Sequence, residues 1–110
     1  MIPLFVLGIN HDSASVEVRE RVAFSPESIE DALQHLVEQT SAVESAIMST
    51  CNRTELYAVL DASIPTDVAV TELLNWLASH HKLDISILQQ CYYCKAHDVC
   101  GERVKFVSAG

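Results

Sequence analysis

Ala46-Ile47-Met48-Ser49-Thr50-Cys51-Asn52-Arg53-Thr54-Glu55-Leu56-Tyr57-Ala58-Val59-Leu60 sets two apolar runs on either side of a polar turn that carries one cysteine. Both runs have the length and side-chain content of strands, so the stretch predicts strands at about 43–49 and 54–60 joined through the cysteine turn. Working outward, Pro3 to Asn10 is a continuous apolar run, the pattern of a central strand buried on both faces. Val16 to Arg21 predicts a short helical turn. Ser25-Pro26 predicts a helix start, with serine as N-cap and proline at the first helical position. Glu27, Glu30 and Asp31 then fall where negative charge favours the helix dipole, and Ile29, Leu33, Leu36 and Val37 supply a buried stripe.

Beyond the second strand, Ser63-Ile64-Pro65-Thr66 breaks the pattern, with Thr66 as the next N-cap. From Asp67 to about His81, Val70, Leu73, Leu74 and Leu77 recur at helical spacing, and His80-His81-Lys82 reads as a C-terminal cap. A short helix over Asp84–Leu88, a fourth strand at Cys91-Tyr92-Tyr93-Cys94 and a last helix over 98–107 complete the reading. The order β-α-β-β-α-β specifies an α+β, ferredoxin-like sandwich: a four-stranded antiparallel sheet with helices on one face.

A chain of 110 residues, 49% hydrophobic and 20% charged, fits one domain spanning 1–110 with a modest core. No apolar run reaches the ~18 residues of a membrane span, and the start of the chain lacks the basic region and long apolar core of a secretory signal. The reading is therefore a cytoplasmic protein. Net charge is −8, which opposes generic nucleic-acid binding; any RNA contact must be local.

Four cysteines, at 51, 91, 94 and 100, do not suggest a disulfide framework in that compartment. Cys91, Cys94, His97 and Cys100 have ligand types suited to zinc, but four ligands within ten residues staple little remote chain. A strand there would also turn Cys91 and Cys94 to opposite faces. No metal site is assigned. Cys51 differs from the other three in its setting. A sulfur nucleophile acts as thiolate, which nearby positive charge and hydrogen-bond donors stabilise. Arg53 follows two residues later, on the same side if the backbone is extended, and Thr50 and Asn52 add polar groups. A free cysteine is also often a small buried hydrophobe, and Trp76 and Tyr57 read as core or interface side chains.

Gly8-Ile9-Asn10-His11, the run Ala14-Ser15-Val16-Glu17-Val18-Arg19-Glu20-Arg21, and Ser49-Thr50-Cys51-Asn52-Arg53-Thr54-Glu55-Leu56-Tyr57 occur in this order at a distinctive spacing. Together they resemble the N-terminal catalytic domain of bacterial glutamyl-tRNA reductase, over about the first sixty residues. The resemblance implies the same ferredoxin-like architecture. It implies glutamyl-tRNA as substrate, with Cys51 attacking the ester carbonyl to give a thioester that hydride from NADPH reduces to glutamate-1-semialdehyde, at the entry to tetrapyrrole synthesis. By the same resemblance Arg53 and Thr50 hold the substrate glutamate, and Asn10 and His11 belong to the site.

The glycines, Gly8, Gly101 and Gly110, make a Gly-x-Gly-x-x-Gly fingerprint impossible, so NADPH is expected on a domain outside this chain, and the chain by itself is expected not to complete hydride transfer. The full family enzyme is expected to be a homodimer. One departure stands out: where the family carries a histidine near its active site, this chain has Glu102 or Arg103, according to the alignment used. The alternative reading is a ferredoxin-like binding or regulatory module that keeps the motif and no longer catalyses.

Overall fold

Alternation in the two most apolar strands decides where the core lies. In the computed structural model, which describes residues 2–61 and 63–99, β1 (Ile2–Asn10) pairs antiparallel with β3 (Arg53–Leu60). Phe5 stands opposite Ala58, Leu7 opposite Leu56 and Ile9 opposite Thr54. Because strand side chains alternate between faces, these residues and Leu60 share one face, and the hydrophobic ones are each 1% exposed or less. Burying a leucine or phenylalanine so fully is worth about 1.5–3 kcal/mol.

β2 (Ala42–Ser49) and β4 (Tyr93–Val99) flank that pair, giving the order β2-β3-β1-β4 with every neighbour antiparallel. Each strand-to-strand crossover therefore skips one strand, the arrangement the ferredoxin-like reading requires. The first crossover carries α1 (Val16–Val22) and α2 (Ile29–Gln39); the second carries α3 (Thr66–His80) and α4 (Ile85–Gln89). Val22, Ala32, Leu36, Leu73, Leu77 and Leu88 bring these helices into one cluster with the buried sheet face. The fold class is thus the expected one, with helices gathered on one face.

Local chemistry explains where the boundaries differ from the sequence reading. Ser25 does not cap α2: its carbonyl accepts from Ser28 N–H at 3.0 Å, a tight turn that delays the helix to Ile29. Val37, expected in the buried stripe, is 43% exposed, and Ala32 takes its place beside Leu36. Thr66 is the first residue of α3, and the cap position falls on Pro65, whose extended backbone suits it. Asp84 caps α4 through its side chain, which accepts from Ser86 N–H at 2.9 Å. The largest correction concerns the fourth strand. Cys91 lies in the turn after α4, its thiol donating to the Ile87 carbonyl at 3.2 Å, and pairing begins only at Tyr93. Cys91 and Cys94 are therefore not two positions of one strand. The expected helix over 98–107 fails at its start, since Asp98 and Val99 pair in β4; Cys100 and the rest lie outside the described residues.

Candidate active site

Four residues make the cysteine turn. Thr50 N–H donates to the Arg53 carbonyl at 2.8 Å, closing a hairpin loop whose two central residues are Cys51 and Asn52. The Thr50 hydroxyl accepts from the backbone N–H groups of Asn52 and Arg53, both at 3.2 Å. Thr50 is thus the turn's own cap, in the manner of serine and threonine turns, and the same hydroxyl keeps a proton to donate. Cys51 and Asn52 are exposed at the tip. Cys51 lies in the turn, as the sequence predicts; the extended backbone that would set Arg53 on its side is absent between them, since Arg53 opens β3.

The base of the turn is pinned from the helix side. Ser49 Oγ accepts from Phe24 N–H at 2.9 Å and lies 3.2 Å from Thr54 Oγ1, and Thr54 is only 3% exposed. Phe24 is fixed in turn by rings at the end of α3, stacking on Trp76 and meeting His81 edge-on at 4.5 Å. His81 is held neutral. Burial, then the neighbouring His80, lower its pKa from the ordinary 6.5 to about 4, against a hydrogen bond with the Val22 carbonyl that works the other way. Burial, and secondarily His35, also lower the pKa of His80. These imidazoles therefore do not supply the positive charge expected of a helix cap. Backbone geometry caps α3 instead: Lys82 takes a left-handed φ of 57°, while Lys82 and Leu83 N–H groups donate to the Ser79 and Ala78 carbonyls at 3.2 and 2.8 Å.

Asn10 and Arg53 stand opposite each other, which puts the end of β1 beside the cysteine turn. Asn10 Oδ1 accepts from Asp12 and Ser13 N–H at 2.9 and 3.0 Å, and Asn10 N–H donates to Ser13 Oγ at 2.9 Å. This side chain shapes the loop leaving β1. His11 is exposed and pairs with Asp12 at 3.5 Å. The topology therefore gathers Asn10, His11, Thr50, Cys51 and Arg53 at one end of the sheet. A groove between α2 and β2, lined by Leu33, Val37, Val43, Ala46 and Tyr57, belongs by register to the other end.

Sequence reasoning allowed Arg53 to be a charge partner for Glu55, but it missed the phenols that hold that carboxylate. On the sheet face away from the helix cluster, Arg53 Nη1 lies 3.4 Å from Glu55 Oε1, and the side chains are 37% and 9% exposed. Tyr57 Oη donates to the same oxygen at 3.2 Å, and Tyr93 Oη also hydrogen-bonds Glu55. Burial and the adjacent Glu55 charge push both phenols above the usual tyrosine range. Gly8 was the available signal, a residue without a side chain inside an apolar strand. A Cβ there would stand 2.6 Å from the Tyr93 ring and 2.9 Å from Glu55 Cγ.

Residues 7–110 match the family model described as glutamyl-tRNA(Glu) reductase, N-terminal domain. The glutamyl-tRNA reductase of Shewanella denitrificans is 42% identical over 107 residues, 97% of this chain and 24% of that protein. Its counterpart in Pseudomonas putida is 47% identical over 103 residues, 93% of this chain and 23% of that protein. The solved glutamyl-tRNA reductase from Methanopyrus kandleri superposes with a TM-score of 0.44 at 25% identity, covering 79% of this chain and 26% of that one. The chain thus spans about a quarter of the length of the curated relatives it matches. By the family match and these identities, this chain belongs to the glutamyl-tRNA reductase N-terminal domain family.

Proposed function

We propose that this chain carries the acyl-transfer half of a glutamyl-tRNA reductase, with Cys51 as nucleophile. The supporting observation is the exposed thiol at the tip of a turn whose base is anchored, with a guanidinium two residues away. The Cys51 thiolate attacks the carbonyl carbon of the glutamyl ester. A C–S bond forms, the C–O bond to the tRNA ribose breaks, and the departing oxygen takes a proton to leave as a hydroxyl. Splitting one difficult displacement into two steps is what covalent catalysis offers here. Arg53 is suited to the side-chain carboxylate of glutamate, since its planar fork can hold a carboxylate through two parallel hydrogen bonds. Thr50 and Asn10 keep the turn and the adjoining loop in shape. His11 is exposed at the same end.

Reduction of the thioester needs a hydride donor, NADPH by family membership. These residues do not fit a dinucleotide: no glycine-rich loop precedes a helix, and α3 opens on Pro65, Thr66 and Asp67, where an acid would repel a pyrophosphate. The cofactor is assigned to the rest of the longer protein. We assign dimerisation to it as well, and read the reaction as a cytoplasmic one, beside the charged tRNA, at the entry to tetrapyrrole synthesis. Among the described residues no helix is long and apolar enough to cross a membrane.

One observation favours a rival, a module that binds without catalysing: Arg53, Thr50 and Asn10 all have partners within the chain. Incubation with tRNA charged with radiolabelled glutamate, followed by acid trapping, separates the two. Label that stays on the protein and disappears in Cys51→Ser supports acyl transfer. A folded chain that takes no label, and deacylates the tRNA no faster than buffer, supports the module.

A further inference from the structure

Met48, Glu55, Gly8 and Tyr93 form one row across all four strands, Glu55 opposite both Met48 and Gly8, and Gly8 opposite Tyr93. They lie on the sheet face away from the helix cluster. Within the row, Gly8 has no side chain, so the Tyr93 ring lies over its backbone and reaches Glu55 on the far strand. Next along β3 toward the cysteine turn is Arg53.

Each part of this arrangement disfavours stability on its own. A carboxylate on a side chain left 9% exposed loses most of its hydration. A glycine inside a strand adds no packing and loses more backbone freedom on folding than other residues. Replacing a buried ionic network by hydrocarbon is often neutral or stabilising, so retention of the charge calls for a reason other than fold stability. The three features have one common outcome: a carboxylate fixed by two phenols, facing the arginine that flanks Cys51.

We infer that Glu55 is a positioning residue for Arg53, and that Gly8 and Tyr93 make this positioning possible. The inference rests on the reading of Cys51 as the acceptor of a glutamyl group. Glu55 engages Nη1 at 3.4 Å, which tethers one arm of the guanidinium and leaves the remaining N–H groups of the fork for an incoming carboxylate. A pre-set fork separates glutamate from glutamine, because only the former offers two charged oxygens to it. Tyr57 takes part as a second clamp on Glu55.

The test compares the chain with its Glu55→Gln and Tyr93→Phe variants, each checked for folding by circular dichroism and urea midpoint. Single-turnover acylation of Cys51 is followed with glutamyl-tRNA and with glutaminyl-tRNA. Glu55→Gln keeps a hydrogen-bonding group but not the charge, so the half-saturating glutamyl-tRNA concentration should rise about tenfold, the factor for one lost charge-assisted hydrogen bond. The plateau rate should change little, and the preference for glutamyl over glutaminyl should fall by the same factor. Tyr93→Phe keeps the ring over Gly8 and should give a smaller shift in the same direction. A merely structural role would lower the fraction of active protein without altering that preference. Wild-type half-saturation and preference in both variants would overturn the inference. Should the unaltered chain take no label, the reading of Cys51 falls instead. Modification of Arg53 by phenylglyoxal, located by mass spectrometry, then decides for Glu55: faster modification in Glu55→Gln supports a held guanidinium, and equal rates refute it.

Discussion

Lowering the pH toward 5 should destabilise this domain through His81, and the size of the effect follows from its surroundings. The ring is packed edge-on to Phe24, in contact with His80 and bonded to the Val22 carbonyl; His35 of α2 faces His80 in turn. Burial brings its pKa to about 4, below the ordinary 6.5 it regains in the unfolded chain. The unfolded state therefore binds the proton first. The stability held above pH 6.5 is lost progressively as pH falls through 6.5 toward 4. Taken at face value, the loss between pH 7 and 5 is about 2 kcal/mol. Solvent at this half-buried ring screens the effect, leaving about 1 kcal/mol. His80 shifts the same way and adds to it. Urea denaturation at pH 7, 6 and 5 measures the wild-type slope, and His81→Phe, which keeps a ring against Phe24 but cannot take a proton, should flatten it by about 1 kcal/mol over that range. An unchanged slope in the variant would show that the imidazole is already free to protonate in the folded chain, and the packing argument would fail.

Gly8→Ala should cost about 1–3 kcal/mol, since its Cβ would stand 2.6 Å from the Tyr93 ring, and urea midpoints would show this; a neutral result would mean that the ring moves aside freely. Ser49→Ala removes the acceptor for Phe24 N–H and should cost about 1–2 kcal/mol, with faster hydrogen exchange at that amide as its signature. Lys82→Gly should stabilise by about 1 kcal/mol, because lysine holds a left-handed φ of 57° there; no rise in thermal midpoint would count against strain at this residue. Leu56→Ala, in the middle of the buried sheet face, should cost about 2–5 kcal/mol by the same assay.

The element order was legible because local signals carry it: the two apolar runs around Cys51, the stripe of α3, and the short helix near Asp84–Leu88 each read correctly from a handful of neighbours. The start of β4 was not. Cys91-Tyr92-Tyr93-Cys94 is the most apolar stretch of that region, yet the strand begins only at Tyr93 and runs on through Lys95 and Asp98, because β4 lies at the sheet edge and its extent is set by pairing with β1. Local hydrophobicity cannot report a partner so far away in sequence. The site divides the same way. Asn10 and Thr50 were readable as turn residues, whereas the burial of Glu55, readable only as a charge partner for Arg53, was not. Its burial arises from Gly8 and Tyr93, two residues on other strands, so only the register could reveal it.

Anchoring on both faces is what lets an exposed turn hold Cys51 in place. On the helix side, Ser49 and Thr54 tie the two strand ends to Phe24. On the other side, Glu55 ties the first side chain of β3. Cys51 and Asn52 are left exposed between these ties, with Thr50 fixing the turn's backbone. A loop gives access to a large substrate, and strands give positional precision; a two-residue tip on fixed strand ends combines both. The two ties also differ in chemistry, which makes them separable by experiment. The helix-side tie depends on a neutral His81 and should weaken with acid, whereas the Arg53–Glu55 pair should weaken with salt. If Cys51 is the nucleophile, mild acid should therefore lower the rate of its acylation through mobility of the turn. Added salt should act mainly on the concentration of glutamyl-tRNA needed.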